Sequence, residues 1–152
     1  MSPLFVLGAG LWGPGLEGWA ASLPVLQGRL DHVWRDCTPP TPTLLPLNER
    51  RRTGASVRLA LAVALEASTH AGFAPGIVRS VFGTSNGEGP VIHAILASLA
   101  DPDRQVSPTQ FHNSVHNAAA GYWSIAARSQ AAATCLGCHD ATFAAALLKA
   151  VA

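Results

Sequence analysis

Ser107-Pro108-Thr109-Gln110-Phe111-His112-Asn113-Ser114-Val115-His116-Asn117-Ala118-Ala119-Ala120-Gly121-Tyr122-Trp123-Ser124-Ile125-Ala126 is the most informative stretch of this chain. Ser107-Pro108 is a helix start: a capping residue followed by one with no N–H to leave unpaired. The polar residues His112, Asn113, Ser114, His116 and Asn117 then interrupt an otherwise apolar segment. Ala118, Ala119, Ala120 and Gly121 follow, small enough for another backbone to come close. The spacing predicts one helix over about 107–127. A buried helix with this many polar side chains needs partners for them, in the core or across an interface.

The remaining chain reads as alternating strands and helices. Leu4 to Leu7 is a short apolar run that suits a buried strand. A helix is expected over about Glu17 to Gln27. Pro39, Pro40, Pro42 and Pro46 mark an irregular connection. A long helix is expected from about Ala55 to Gly72, mostly buried, with Arg58, Ala62 and Glu66 as its one narrow polar or small stripe. Ile77 to Thr84 reads as a strand, and Asp101-Pro102-Asp103 ends the helix that follows. Ala131 to Leu136 is a further strand, and a last apolar helix runs through Phe143, Leu147 and Leu148. Strands alternating with helices imply a mainly parallel sheet covered by helices.

Composition narrows the function. The 152 residues fit a single domain, 49% hydrophobic and only 12% charged, about half the usual charged share. A net charge of +1 argues against a nucleic-acid binder, which needs a basic stripe. The low charge leaves apolar surface needing cover and points to a partner. No apolar run is long enough for a membrane span. The opening Met1-Ser2-Pro3-Leu4-Phe5 lacks the basic region of a signal peptide, so a cytoplasmic chain with reduced cysteines is expected.

Several motifs suggest other chemistry. Gly8-Ala9-Gly10-Leu11-Trp12-Gly13 matches the dinucleotide fingerprint, but Pro14 and Gly15 break the helical turn that would hold the pyrophosphate. A glycine turn is the preferred reading. Cys135-Leu136-Gly137-Cys138-His139 is a literal haem-attachment pattern, opposed by the missing export signal and by the core-like helix that follows. With Asp140 it also suits zinc, yet so compact a cluster rarely closes a tetrahedron alone. His112 and His116, four apart, share a helix face, but no nearby carboxylate would complete a metal site. Gly83-Thr84-Ser85-Asn86-Gly87-Glu88-Gly89 lacks the Lys of a phosphate loop. The reading assigns no cofactor and no metal.

The 107–126 stretch resembles the N-terminal half of β-ketoacyl synthases. It is most similar to the short, degenerate synthase-like proteins of aryl polyene pathways, which act like chain-length factors. The resemblance rests on Ser107-Pro108, Phe111, Ser114-Val115-His116-Asn117-Ala118, Ala120-Gly121 and Ser124-Ile125. Gly8, Gly10, Pro14, Gly15 and Trp19, the Arg50-Arg51-Arg52 run and Val81 to Gly89 support it. It implies one synthase-like domain over residues 1–152, an α/β, thiolase-like half with a mainly parallel mixed sheet packed between helices. It also implies a non-catalytic subunit that pairs with a ketosynthase, or with itself, in polyketide or fatty-acid-type biosynthesis on acyl-carrier-protein thioesters. Phe111, His112, His116 and Asn117 would line the interface or acyl pocket. In such synthases the nucleophilic cysteine occupies a strand-to-helix turn, which places Cys135 at or next to that position. There a helix N-terminus favours the thiolate, so Cys135 is expected to outreact Cys37, beside Asp36, and a more buried Cys138. The two histidines of a complete synthase belong to its other half and have no counterpart here. Two alternatives remain: a Cys135-dependent acyltransferase or condensing enzyme completed by another chain, and a small nucleotide- or haem-binding protein.

Overall fold

The computed structural model describes residues 3–152. Trp12–Gly13 (β1) and Leu16–Glu17 (β2) pair as a small antiparallel hairpin. Four helices and a 3-10 turn surround the next strand: Trp19–Leu26 (α1), Leu47–Arg50 (α2), Ala55–His70 (α3), the turn Pro75–Ile77, strand Ser80–Gly83 (β3), then Gly89–Ala100 (α4). Pro108–Asn113 (α5), Ala118–Ala127 (α6), Ala133–Leu136 (β4), a second 3-10 turn at His139–Ala141 and Thr142–Val151 (α7) complete the order.

β3 and β4 lie side by side and parallel, with Phe82 opposite Cys135 and Gly83 opposite Leu136. Helices cover both faces. On one, Trp123 of α6 meets Phe82 edge-on, with ring centroids 6.5 Å apart. On the other, Gly83 admits α7: a side chain there would come within 2.9 Å of Thr142 and 3.2 Å of Ala146. The α/β layering expected from the alternation is present, built here on a two-stranded parallel sheet.

The core forms where α3 crosses α6. Leu45, Val57, Leu61, Ala118, Tyr122 and Trp123 are buried together. Of α3, only Val57 and Leu61 are fully buried, so this helix is less enclosed than its apolar sequence suggested. The reason is an open groove along one side, described below. Its polar stripe is put to use. Glu66 accepts the Leu11 N–H at 2.9 Å and the Trp19 N–H at 2.6 Å, which ties the N-terminal hairpin to the helix. Glu88, only 5% exposed, accepts the Val57 N–H at 3.0 Å in the first turn of α3, where a negative charge and an orphan amide suit each other.

Two expectations need correction. Leu4 to Leu7 forms no strand; the four residues are exposed, because no neighbouring strand meets them. The 107–127 segment is two helices, with a corner at 114–117. For Gly8 to Gly13 the preferred glycine-turn reading agrees with the structure: these residues lead into the β1–β2 hairpin, and no helix starts there. They serve close approach instead: a Cβ at Gly8 or Gly10 would lie 2.4 Å from the Ala67 carbonyl oxygen or 2.3 Å from that of Val63.

Candidate functional site

The corner at 114–117 divides the polar residues of the opening stretch into two sets. Asn113 turns inward and is buried. Its amide donates to the Arg52 carbonyl and its oxygen accepts the Tyr122 hydroxyl at 3.1 Å, so its polar atoms are satisfied within the chain. His112, His116 and Asn117 point outward and are exposed. His112 belongs to α5 and His116 to the corner, so the two do not share a continuous helix face.

Phe111, His112 and Asn117 line one surface groove of about 570 Å³, together with Gly121 and Ile125. Phe111 is 68% exposed, and apart from its own helix backbone nothing stands within 4 Å of where a Gly121 side chain would begin. His112 meets the buried Tyr122 ring edge-on at 6.0 Å. Apolar side chains, an open glycine and two hydrogen-bonding groups therefore share one face. His116 is not part of it.

His116 lies instead where two other cavities meet. One is an apolar groove of about 820 Å³ between α3 and β3, walled by Ala60, Val63, Ala67, Val81, Phe82 and Trp123. The other is a cleft of about 280 Å³ at the carboxyl ends of β3 and β4, lined by Ser85, Asn86, Ser114, His116 and His139 among others. The two share Thr84, Gly87 and His116.

Cys135 is not at a helix N-terminus. It is half-buried within β4, two residues before the loop that leads to α7. Burial pushes its thiol up, and a backbone hydrogen bond with Ala120 only partly offsets this. Such a thiol is less nucleophilic at neutral pH than the sequence suggested, because the thiolate is the reactive form. Cys138, expected to be more buried, is exposed. The residue at the strand-to-helix turn is His139, with a left-handed φ of +48°. Its carbonyl accepts the Ser85 hydroxyl at 2.9 Å and the Thr142 hydroxyl at 2.7 Å. Sequence reasoning passed over His139 as part of a haem-like motif. The signal available was its place just before the apolar run of α7.

Among the described residues, no three His, Cys, Asp or Glu side chains converge as a metal site. None of the described helices is long and apolar enough to cross a membrane.

The sequence matches the family described as "Beta-ketoacyl synthase, N-terminal domain" over residues 26–152. No curated protein matches it. Among solved structures, it is similar to a chain of the "Ketosynthase (ApeO) in Complex with its Chain Length Factor (ApeC) from Xenorhabdus doucetiae", with a TM-score of 0.75 and 24% identity. The match covers 94% of this chain and 58% of that one, so the present sequence spans less than two thirds of the solved chain. The likeness shows the thiolase-like ketosynthase fold, in agreement with the α/β layering around β3 and β4. With a family match over residues 26–152 and this fold, the chain belongs to the β-ketoacyl synthase N-terminal domain family.

Proposed function

We propose that this chain is a synthase-like partner subunit, which pairs with a ketosynthase and shapes its acyl pocket in aryl polyene-type chain building. Its ligands would be acyl groups carried as thioesters on an acyl carrier protein, in the cytoplasm. The observation that carries the reading is the exposed α5–α6 face. Phe111, Val115 and Ile125 are solvent-exposed apolar side chains beside His112, Asn117 and an open Gly121. Such a face has the make-up of an interface: apolar anchors, hydrogen-bonding groups and a small residue that permits close approach. The groove between α3 and β3 is apolar and roomy enough for an acyl chain. The solved complex with the similar chain is itself described as a ketosynthase with its chain length factor.

A Cys135-dependent condensing enzyme is the weaker alternative. The thiol is raised by burial and sits in a strand, away from the helix dipole that would activate it. On the preferred reading, the chain alone forms no ketoacyl product from acyl- and malonyl-carrier protein.

Co-expression with a ketosynthase from the same genome, followed by light scattering, tests the pairing. The expected result is a heterodimer that Phe111→Ser weakens. A chain that stays monomeric with that ketosynthase present overturns the proposal.

A further inference from the structure

We propose that Glu66 is a positioning residue that clasps the β1–β2 hairpin to α3 and makes that hairpin a hinged wall of the apolar groove between α3 and β3. The proposal rests on the reading of that groove as an acyl site. The clasp is one carboxylate with both oxygens in use. Oε2 accepts the Leu11 N–H at 2.9 Å and Oε1 accepts the Trp19 N–H at 2.6 Å. These two amides flank the paired residues 12–17, so a single side chain closes the base of the hairpin and fixes it to the helix. Gly18, with a φ of +93°, leaves the backbone bare beside the carboxylate, where a Cβ would come within 3.3 Å of Oε1. One turn further along α3, His70 Nδ1 accepts the Ala9 N–H at 3.1 Å.

The clasped segment belongs to the groove. Gly10 and Trp12 line it together with Val63 and Ala67 of α3. Gly10 rests on the Val63 carbonyl oxygen, which a Cβ would meet at 2.3 Å. The hairpin therefore sits on the same stretch of helix that walls the groove. Any movement of the hairpin changes the room left there for an apolar chain.

Burial contributes little to holding it. Among residues 3–21 none is fully buried. Gly8 and Gly10 meet α3 backbone to backbone, with no side chain of their own to bury. Two further hydrogen bonds lead away from the core: Trp12 Nε1 donates to the Thr38 carbonyl at 3.3 Å, and the Pro14 carbonyl accepts from His32 Nε2 at 2.9 Å. That arm is itself exposed over residues 26–36. Segments with few buried apolar contacts open at a free energy well below that of global unfolding. A hydrogen bond to a charged group shifts such an opening equilibrium about tenfold or more. Two of them on one carboxylate decide whether the hairpin rests on α3.

The full chain alone is compared with Glu66→Gln, whose amide keeps one acceptor oxygen and sets an N–H donor against the other backbone N–H. Hydrogen exchange at Leu11 and Trp19 should rise about tenfold or more, while the amides of Tyr122 and Trp123 in the core keep the parent's rate. The fluorescent fatty acid cis-parinaric acid reads the groove, and it should leave Glu66→Gln about tenfold faster than the parent. His70→Ala changes an exposed side chain and loses a bond to a neutral group. It should speed exchange at Ala9 and release of parinarate by about two- to tenfold. The proposal is overturned if Leu11 and Trp19 exchange at the parent's rate in Glu66→Gln, or if they exchange faster while parinarate leaves no sooner. Equal acceleration of the core amides also overturns it, since Glu66 would then serve overall stability alone. Parent rates throughout in His70→Ala count against it in the same way. Failure of the acyl-site reading looks different: the parent itself then binds no parinarate, and the hairpin walls no acyl site.

Discussion

Helices α6 and α7 are both ten residues long and rich in alanine, yet they meet opposite fates. α6 buries Ala118, Ala120, Tyr122 and Trp123, whereas α7 buries only Thr142. α6 lies between α3 and the sheet, so its large aromatic side chains find partners on both sides. α7 has the sheet on one side only. It turns Thr142 and Ala146 toward Gly83 and presents Phe143, 81% exposed, with Leu147 and Leu148 to solvent. Similar composition thus gives a core element in one case and an uncovered apolar surface in the other. Position within the layers decides which.

Removing the largest side chain from each helix tests this contrast most directly. Trp123→Ala should cost about 3–5 kcal/mol in urea unfolding, the range for a buried aromatic side chain in a packed core. Phe143→Ala should stay within about 0.5 kcal/mol, as for an exposed position. A loss above about 2 kcal/mol from Phe143→Ala would show that the outer face of α7 is covered in solution, and the contrast would fail. A smaller effect is expected inside the α6 unit. Tyr122→Phe removes only the hydroxyl that bonds Asn113 and should cost about 0.5–1.5 kcal/mol.

The cysteines sharpen the comparison without changing stability. Cys135 lies under α6 with its thiol pushed up by burial, while Cys138 is exposed at the start of the loop leading to α7. A raised thiol pKa means less thiolate at neutral pH. Iodoacetamide should therefore modify Cys138 before Cys135, as read by peptide mass spectrometry. The Cys135 rate should keep climbing as pH passes through and above the usual thiol range. Faster modification of Cys135 at neutral pH would restore it as a nucleophile candidate.

The family was legible in the 107–126 stretch, where the order of Ser, His, Asn, Ala and Gly is specific. Of the residues expected at an interface or pocket, Phe111, His112 and Asn117 share one groove. His116, expected at the interface or the pocket, lines the apolar groove and the neighbouring cleft instead of the face that holds the other three. The cause is the corner at 114–117: a periodicity argument assumes an unbroken helix, and a break rotates everything beyond it. Cys135 was misplaced for a related reason. The strand was expected through Leu136, where pairing with β3 does end it, but the helix was placed directly after Cys135 and starts only at Thr142. The turn then falls at His139.

By itself the sequence determined a long helix from about Ala55, a helix ended by Asp101-Pro102-Asp103, a last apolar helix through Phe143, Leu147 and Leu148, the parallel α/β alternation and the family. Those follow from local signals: side-chain period, glycine and proline punctuation, and a run of residues specific enough to recognise. Only the tertiary structure decided that Asn113 is a core residue while His112 is not, that Leu4 to Leu7 stays unpaired, and that His116 and His139 face one cleft. These outcomes depend on which surfaces meet across dozens of residues. Burial, hydrogen-bond partnership and cavity shape are properties of such meetings, and no local pattern carries them.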